Sequence, residues 1–298
     1  MITAGVSKML LASNRNTLRR FTVDSSLTAE AYEVIFNLPN LCELWVVIEG
    51  DISLPSVALP NLTNMMIKYP HDRNRLQLFR GATLGKLVSV IFHSESESIG
   101  DFLEAFESLA LTISISATLS TFVFYTSRSW RPNYRSLHSF THLKELVINS
   151  SCKGGCSSTV DDDIITGIAR AMPGLEILEL GEPCKTPAGV TAKGLAALAH
   201  YCPHLSVLCV HLSAILGDPP GGEPTIPRGG HALMHLNVGR IPLPEESVLM
   251  VAHTLLHIFP RMFYIGYYSD VWKKVVDAIS RSEQLVHRSS KDLSLTPR

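Results

Sequence analysis

Histidines are the first residues of this 298-residue sequence whose spacing suggests chemistry. They form four pairs with an i, i+4 spacing, namely His138/His142, His200/His204, His231/His235 and His253/His257. Two histidines one helical turn apart can share a zinc ion. Only His253/His257 falls inside a predicted helix, and its sequence His-Thr-Leu-Leu-His lacks the glutamate that a metalloprotease uses as general base. We therefore predict no metal site.

Cysteines are too scattered to indicate a disulfide framework. The six residues are Cys42, Cys152, Cys156, Cys184, Cys202 and Cys209. The spacing of Cys152-Lys-Gly-Gly-Cys156 is not that of a standard zinc or thioredoxin motif, so we interpret it as a glycine loop with two free thiols. A local disulfide formed under oxidation is the alternative. This cysteine usage, together with an N-terminus that lacks a signal-peptide pattern, predicts a cytoplasmic or nuclear protein.

No catalytic motif assembles a nucleophile, a base and an orienting residue, and no phosphate-binding glycine loop occurs. Asp161, Asp162 and Asp163 are better explained as the start of a helix, where carboxylates cap backbone N–H groups. Residues 217–230 form a Pro/Gly-rich segment that we interpret as a loop insertion, with a binding loop as the alternative. The sequence therefore predicts a protein that is not an enzyme and that has no catalytic residues and no cofactor.

Composition excludes several classes of protein. Apolar residues make up 46% of the chain and charged residues 18%, which excludes disorder over most of its length. The formal net charge is −1, so the chain lacks the net positive charge that is typical of nucleic-acid-binding proteins. The longest uncharged stretch, residues 108–127, alternates like a strand and is a poor membrane helix. We predict no nucleic-acid partner and no membrane partner.

An internal repeat organises the whole chain. Five segments share the frame apolar-Pro-x-Leu/Met-x-x-apolar-x-apolar, and they begin at Leu38, Leu59, Met172, Cys202 and Phe259. Five more keep only the half Leu-x-x-apolar-x-apolar, and they begin at Leu18, Leu87, Leu119, Leu143 and Leu233. The Leu/Met position of this half recurs at intervals of 21 to 32 residues, close to the leucine-rich-repeat period of roughly 20–29 residues. Helical patterns lie between the strands, at residues 28–36, 101–109, from Asp161, 191–201 and from Glu245.

The second half of the chain carries a family resemblance. Val190-Thr191-x-x-Gly194-Leu195-x-x-Leu198-Ala199-x-x-Cys202-Pro203-x-Leu205-x-x-Leu208-x-Val210 resembles the cysteine-containing leucine-rich repeat of F-box proteins. Residues 162–180 are similar, with Met172 in place of the cysteine. The chain as a whole resembles the repeat region of fungal F-box/leucine-rich-repeat proteins. Membership would imply substrate recognition for an SCF-type ubiquitin ligase, in which the F-box binds a Skp-type adaptor. Because repeat-like sequence already begins near Gly5, we expect no F-box here, and an adaptor would bind only through an F-box outside this chain.

The predicted architecture is an α/β leucine-rich-repeat solenoid, a horseshoe with a parallel concave sheet of about ten strands and with outer helices. It covers residues 1–270, and residues 271–298 are predicted to form a C-terminal helix and a disordered tail. In each Leu-x-x-Leu-x-Leu segment the leucines point inward, as we expect for Leu178, and the residues between them, such as Glu179, face the concave side. The middle concave row is Thr22, Trp45, Met66, Ile91, Val123, Val147, Glu179, Cys209, Asn237 and Gly266. The flanking row is Asp24, Val47, Lys68, His93, Tyr125, Asn149, Gly181, His211, Gly239 and Tyr268.

Five successive residues of the middle row are apolar, and they are Trp45, Met66, Ile91, Val123 and Val147. A sheet face in water would carry polar residues there, so the stripe predicts a protein-binding ridge with Trp45 as its anchor. The alternative is that a loop or a terminal tail covers it. We therefore predict a non-enzymatic protein-interaction scaffold that binds its partner on the concave face, with ubiquitin-ligase substrate recognition as its more specific form. The competing interpretations are a truncated repeat fragment without independent function and an enzyme with its site on inserted loops.

Overall fold

The computed structural model describes twelve parts of the chain. They are residues 13–48, 59–69, 84–94, 118–126, 134–150, 160–181, 189–213, 216, 232–238, 243–262, 264–267 and 269–293. Several predicted features lie outside these residues, namely the helix at 101–109, the Cys152/Cys156 motif, Cys184, the segment 217–230, His231, and Gly239 and Tyr268 of the flanking row.

Ten β-strands form one sheet in chain order, and every neighbouring pair is parallel. The strands are β1 (Arg20–Ser26), β2 (Glu43–Val47), β3 (Asn64–Tyr69), β4 (Ser89–Ser94), β5 (Thr121–Thr126), β6 (Glu145–Ser150), β7 (Ile177–Leu180), β8 (Val207–Cys209), β9 (His235–Asn237) and β10 (Tyr264–Gly266). Each repeat segment of the sequence forms one strand, and β1 and β10 are the first and last strands of the sheet. The predicted leucine-rich-repeat solenoid is confirmed.

The pairing aligns equivalent repeat positions side by side. Leu146 stands beside Leu178, which stands beside Leu208 and then Leu236. These leucines are fully buried, so the predicted inward direction of Leu178 is confirmed. The ladder has one irregularity, between Thr22 and Ser26 of β1, which places Ser26 beside Val47. The predicted position of Asp24 in the flanking row is therefore wrong, because a bulge inserts extra residues and shifts the register.

Helices cover the inward face of the sheet. They are α1 (Ala29–Ile35), α2 (Asp162–Ala171), α3 (Ala192–Tyr201), α4 (Val248–Ile258) and α5 (Asp270–Leu293), with 3-10 helices at Tyr134–Ser139 and Glu245–Ser247. Thr28, Asp161 and Thr191 are N-caps, whose side-chain oxygens accept a backbone N–H from the first turn of α1, α2 and α3. The helix expected from Glu245 starts there as a 3-10 turn and continues from Val248 as α4. Such turns are common where an α-helix starts.

One continuous core joins helices and strands. Ile165 of α2, Leu195 of α3 and Leu255 of α4 belong to the same buried cluster as the inward leucines. At the end of the sheet, Trp272 and Val275 of α5 enter this cluster as well. Each repeat is thus buried by its neighbours, as in other solenoids. The division of the chain at residue 270 stays a prediction.

Polar residues of the repeat frame connect adjacent repeats. The Asn61 side-chain amide, in the second Leu-Pro-Asn-Leu segment, donates from Nδ2 to the Pro39 carbonyl of the preceding repeat at 2.9 Å. The buried Cys202 thiol donates to the Ala169 and Met172 carbonyls of the preceding helix end, at 3.6 and 3.5 Å. These bonds link backbone carbonyls at turns and helix ends to side chains of the next repeat.

Candidate functional site

The sheet face away from the helices, called the open face below, carries three parallel rows of side chains. The central row is confirmed in full by the strand register, from Thr22 beside Trp45 to Asn237 beside Gly266. Two residues further along each strand, Val47, Lys68, His93, Tyr125 and Asn149 form the flanking row. Two residues earlier, a first row comprises Arg20, Glu43, Asn64, Ser89, Thr121, Glu145, Ile177, Val207, His235 and Tyr264.

The five apolar residues of the predicted ridge are neighbours on successive strands, but they are not equally accessible. Trp45 is 46% exposed, Met66 and Ile91 are half-buried, and Val123 and Val147 are each only 5% exposed. The expectation of a uniformly exposed stripe is therefore wrong at its C-terminal end. Neighbouring strands are only about 4.8 Å apart, so longer side chains on them easily cover a short branched side chain. The accessible part of the stripe is its Trp45–Ile91 end.

A shallow groove lies at this accessible end. It has a volume of about 190 Å³ and is lined by Thr22, Glu43, Leu44, Trp45, Asn64, Met65, Met66, Ser89 and Ile91. Its floor is apolar, and Glu43, Asn64 and Ser89 form a polar rim from the first row. Glu43 is already engaged, because Arg20 Nε lies 2.5 Å from its Oε2. The groove therefore offers an apolar surface with hydrogen-bonding groups along one side, the usual construction of a recognition site.

The flanking row contains a cation and two rings, and none of them lines the groove. Lys68 is exposed on β3, and the rings of His93 and Tyr125 are stacked with their centroids 4.6 Å apart. Burial lowers the pKa of His93, and the nearby Lys68 charge lowers it further. Since the ordinary value is about 6.5, His93 is neutral at pH 7. It presents an uncharged ring on the open face.

The C-terminal half of the central row has a different character. Glu179 is half-buried, with Val147 on one side of it and Cys209 on the other. Burial raises the pKa of Glu179, and the Glu145 carboxylate raises it further. Burial raises the pKa of the Cys209 thiol to about 12, and the Glu179 charge adds to the effect. Cys209 is therefore a neutral thiol and a poor nucleophile at physiological pH.

Other residues considered for chemistry are not drawn together. The exposed His253 and His257 rings on α4 are nearly parallel with centroids 6.5 Å apart, and no third ligand joins them among the described residues. Burial raises the pKa of the Cys202 thiol to about 12, consistent with a structural role. Within the same residues, no helix combines the length and hydrophobicity needed to cross a membrane.

Sequence reasoning missed the first row, and with it the polar rim of the groove. The available signal was the alternation of the strands, because a residue two positions before a central-row residue must share its face. Applied to Trp45 and Met66, this rule identifies Glu43 and Asn64.

Comparison with known proteins shows distant similarity to solved structures. No family model matches the chain, and no curated protein matches it. Among solved structures, the crystal structure of an internalin (inlF) from Listeria monocytogenes is similar, with 13% sequence identity and a TM-score of 0.46. The alignment covers 82% of this chain and 61% of the internalin chain, so this chain spans about three fifths of the length of that protein. The assignment of the fold rests on the strand order and register described above.

Proposed function

We propose that this protein is a non-enzymatic scaffold that binds a protein partner on its open face. The observation that carries the proposal is the groove at Trp45, Met66 and Ile91, where apolar side chains from three successive strands lie on the sheet face opposite the described helices. Trp45 presents a large exposed indole beside the half-buried apolar side chains of Met66 and Ile91. Aromatic residues of this kind, next to apolar surface, are typical of interface hot spots. The sheet beneath fixes the spacing of these side chains, which suits recognition of a partner of defined shape.

The more specific proposal is substrate recognition for an SCF-type ubiquitin ligase. Its support is the resemblance of residues 190–210 to the cysteine-containing repeat of F-box proteins. A Skp-type adaptor would bind only through an F-box outside this chain. We expect the full-length gene product to co-precipitate such an adaptor together with a cullin. Failure to recover either from the source cell would contradict the ligase proposal and would leave the binding scaffold standing.

The test of partner binding compares two single truncations of exposed apolar residues. Trp45→Ala removes the proposed anchor, and Leu249→Ala removes a side chain that is 74% exposed on α4, on the helical side of the solenoid. A partner captured from the source cell is purified, and its direct affinity is measured by calorimetry. We expect Trp45→Ala to weaken binding at least about tenfold and Leu249→Ala to leave it unchanged. Equal affinities of both variants and the wild type would refute binding at the groove.

A further inference from the structure

Three oxygen-bearing side chains surround Val147 on the open face, and we call them the acceptor cluster. Glu145 and Asn149 lie two residues before and after Val147 on β6, and Glu179 is its register partner on β7. Because alternate residues of a strand share a face, all three side chains project from the open face. Within the cluster, Glu179 lies on the same central row as the groove, at the other end of the apolar stretch.

The acceptor cluster contains two carboxylates without a cationic partner among the described residues. Lys144 is next to Glu145 in sequence, but its Nζ lies 2.9 Å from Glu176, with which it forms an ion pair. Along the central row, the neighbours of Glu179 are Val147 and the neutral Cys209 thiol, and neither offers a positive charge.

This arrangement is unfavourable in the protein on its own. Glu145, Asn149 and Glu179 are each half-buried. Burial and the repulsion from Glu145 raise the pKa of Glu179, so its ionised form is destabilised. Asn149 Oδ1 is buried and accepts no hydrogen bond from the described residues, which leaves a second polar group uncompensated. A cationic donor from outside would compensate the two partly accessible carboxylates.

We propose that the protein partner of the open face carries an arginine that binds the acceptor cluster, following an apolar segment that lies along the central row. This inference rests on the proposed function, and it specifies the chemistry of the partner. Charge complementarity selects a cation, because two unpaired carboxylates flank the apolar stretch. Arginine fits better than lysine, because its planar guanidinium has five donors in a fork and can reach several acceptors at once.

The dimensions agree with a short extended segment. Trp45 on β2 and Glu179 on β7 are five strand spacings apart, which is about 24 Å at about 4.8 Å per spacing. An extended chain rises about 3.3 Å per residue, so about seven residues span this distance. One segment can therefore place an apolar side chain in the groove and an arginine at the acceptor cluster.

The experiment selects peptides on the purified full chain. A phage library of random twelve-residue peptides is panned on the wild type, on Trp45→Ala and on the double variant Glu145→Gln/Glu179→Gln. Lys68→Gln is the matched control, since it also removes a charge from the open face, but on β3. The best wild-type peptides are then synthesised with arginine or with its uncharged analogue citrulline, and their affinities are measured by fluorescence anisotropy.

We expect wild type and Lys68→Gln to enrich peptides with an arginine after an apolar stretch, and the double Gln variant to lose this preference. Citrulline in place of arginine should weaken binding to the wild type about tenfold or more, and to the double variant by much less. If arginine and citrulline peptides bind the wild type with equal affinity, the inference is overturned. This comparison uses only the wild-type protein, so it does not depend on the folding of any variant. Peptides that need Trp45 but contain no preferred basic residue would overturn it and leave the proposed function intact. Failure of the wild type to enrich any peptide would contradict both.

Discussion

Asp162 connects two repeats through three hydrogen bonds and offers a sharp test of how this solenoid is stabilised. It lies in the first turn of α2, yet its carboxylate caps the next helix, α3. Oδ1 accepts the backbone N–H groups of Thr191 at 2.8 Å and Gly194 at 3.0 Å, and Oδ2 accepts the Thr191 hydroxyl at 2.5 Å. A Cβ at Gly194 would lie 2.5 Å from Oδ1, so this approach requires the glycine.

The magnitude follows from the three hydrogen bonds that Asp162→Ala removes. A hydrogen bond to a charged group contributes about 1.5–3 kcal/mol to stability. The site is partly buried, and water will replace part of the loss, so we expect the free energy of unfolding to fall by about 2–4 kcal/mol. Asp162→Asn keeps an oxygen for the two N–H groups and should lose only about 1 kcal/mol.

The neighbouring aspartates are matched controls. Asp161 caps its own helix by accepting the Ile164 N–H at 2.9 Å, and Asp161→Ala should cost about 1 kcal/mol. The Asp163 side chain is 90% exposed, and its Oδ1 lies 3.4 Å from Lys193 Nζ, so Asp163→Ala should cost at most about 0.5 kcal/mol. Urea unfolding followed by circular dichroism measures all three. The reasoning is refuted if Asp162→Ala and Asp163→Ala lower the free energy of unfolding equally.

Two further predictions concern β7. Leu178 is fully buried in the shared core, so Leu178→Ala should lower the free energy of unfolding by about 2–5 kcal/mol in urea titrations; a loss below about 1 kcal/mol would mean that the core is not packed as described. The raised pKa of Glu179 means that the folded state binds this proton more tightly than the unfolded chain, so the associated stability is present at low pH and is lost as the pH rises through the folded pKa. Glu179→Gln should therefore be more stable than the wild type at pH 7, and the difference should shrink toward about pH 4; a difference that does not change with pH would contradict this.

The direction of side chains was predictable and their accessibility was not. Strand alternation correctly put Trp45 and Val147 on one face and Leu178 on the other, because the period of two is a local property of the chain. Exposure depends on the length of side chains on strands that are distant in sequence. Val147 is therefore only 5% exposed, although it occupies the same row as Trp45, which is 46% exposed. The same cause makes Glu179 half-buried, where the sequence alone indicated a solvent-facing residue.

The repeat pattern by itself determined the ten strands, their parallel order and the register of the central row, because each repeat can bury its apolar face only against an equivalent neighbour. Tertiary structure alone decided which polar groups meet. The sequence indicated that Asp162 helps to start α2, but its carboxylate binds the start of α3, 29 residues away at Thr191. Likewise, strand alternation and the repeat register place Glu145 and Asn149 on either side of Val147 beside Glu179, but only the tertiary structure decides that these side chains are half-buried and that Lys144 pairs with Glu176. These contacts depend on how consecutive repeats stack, and that stacking sets the distances between residues that the sequence keeps far apart.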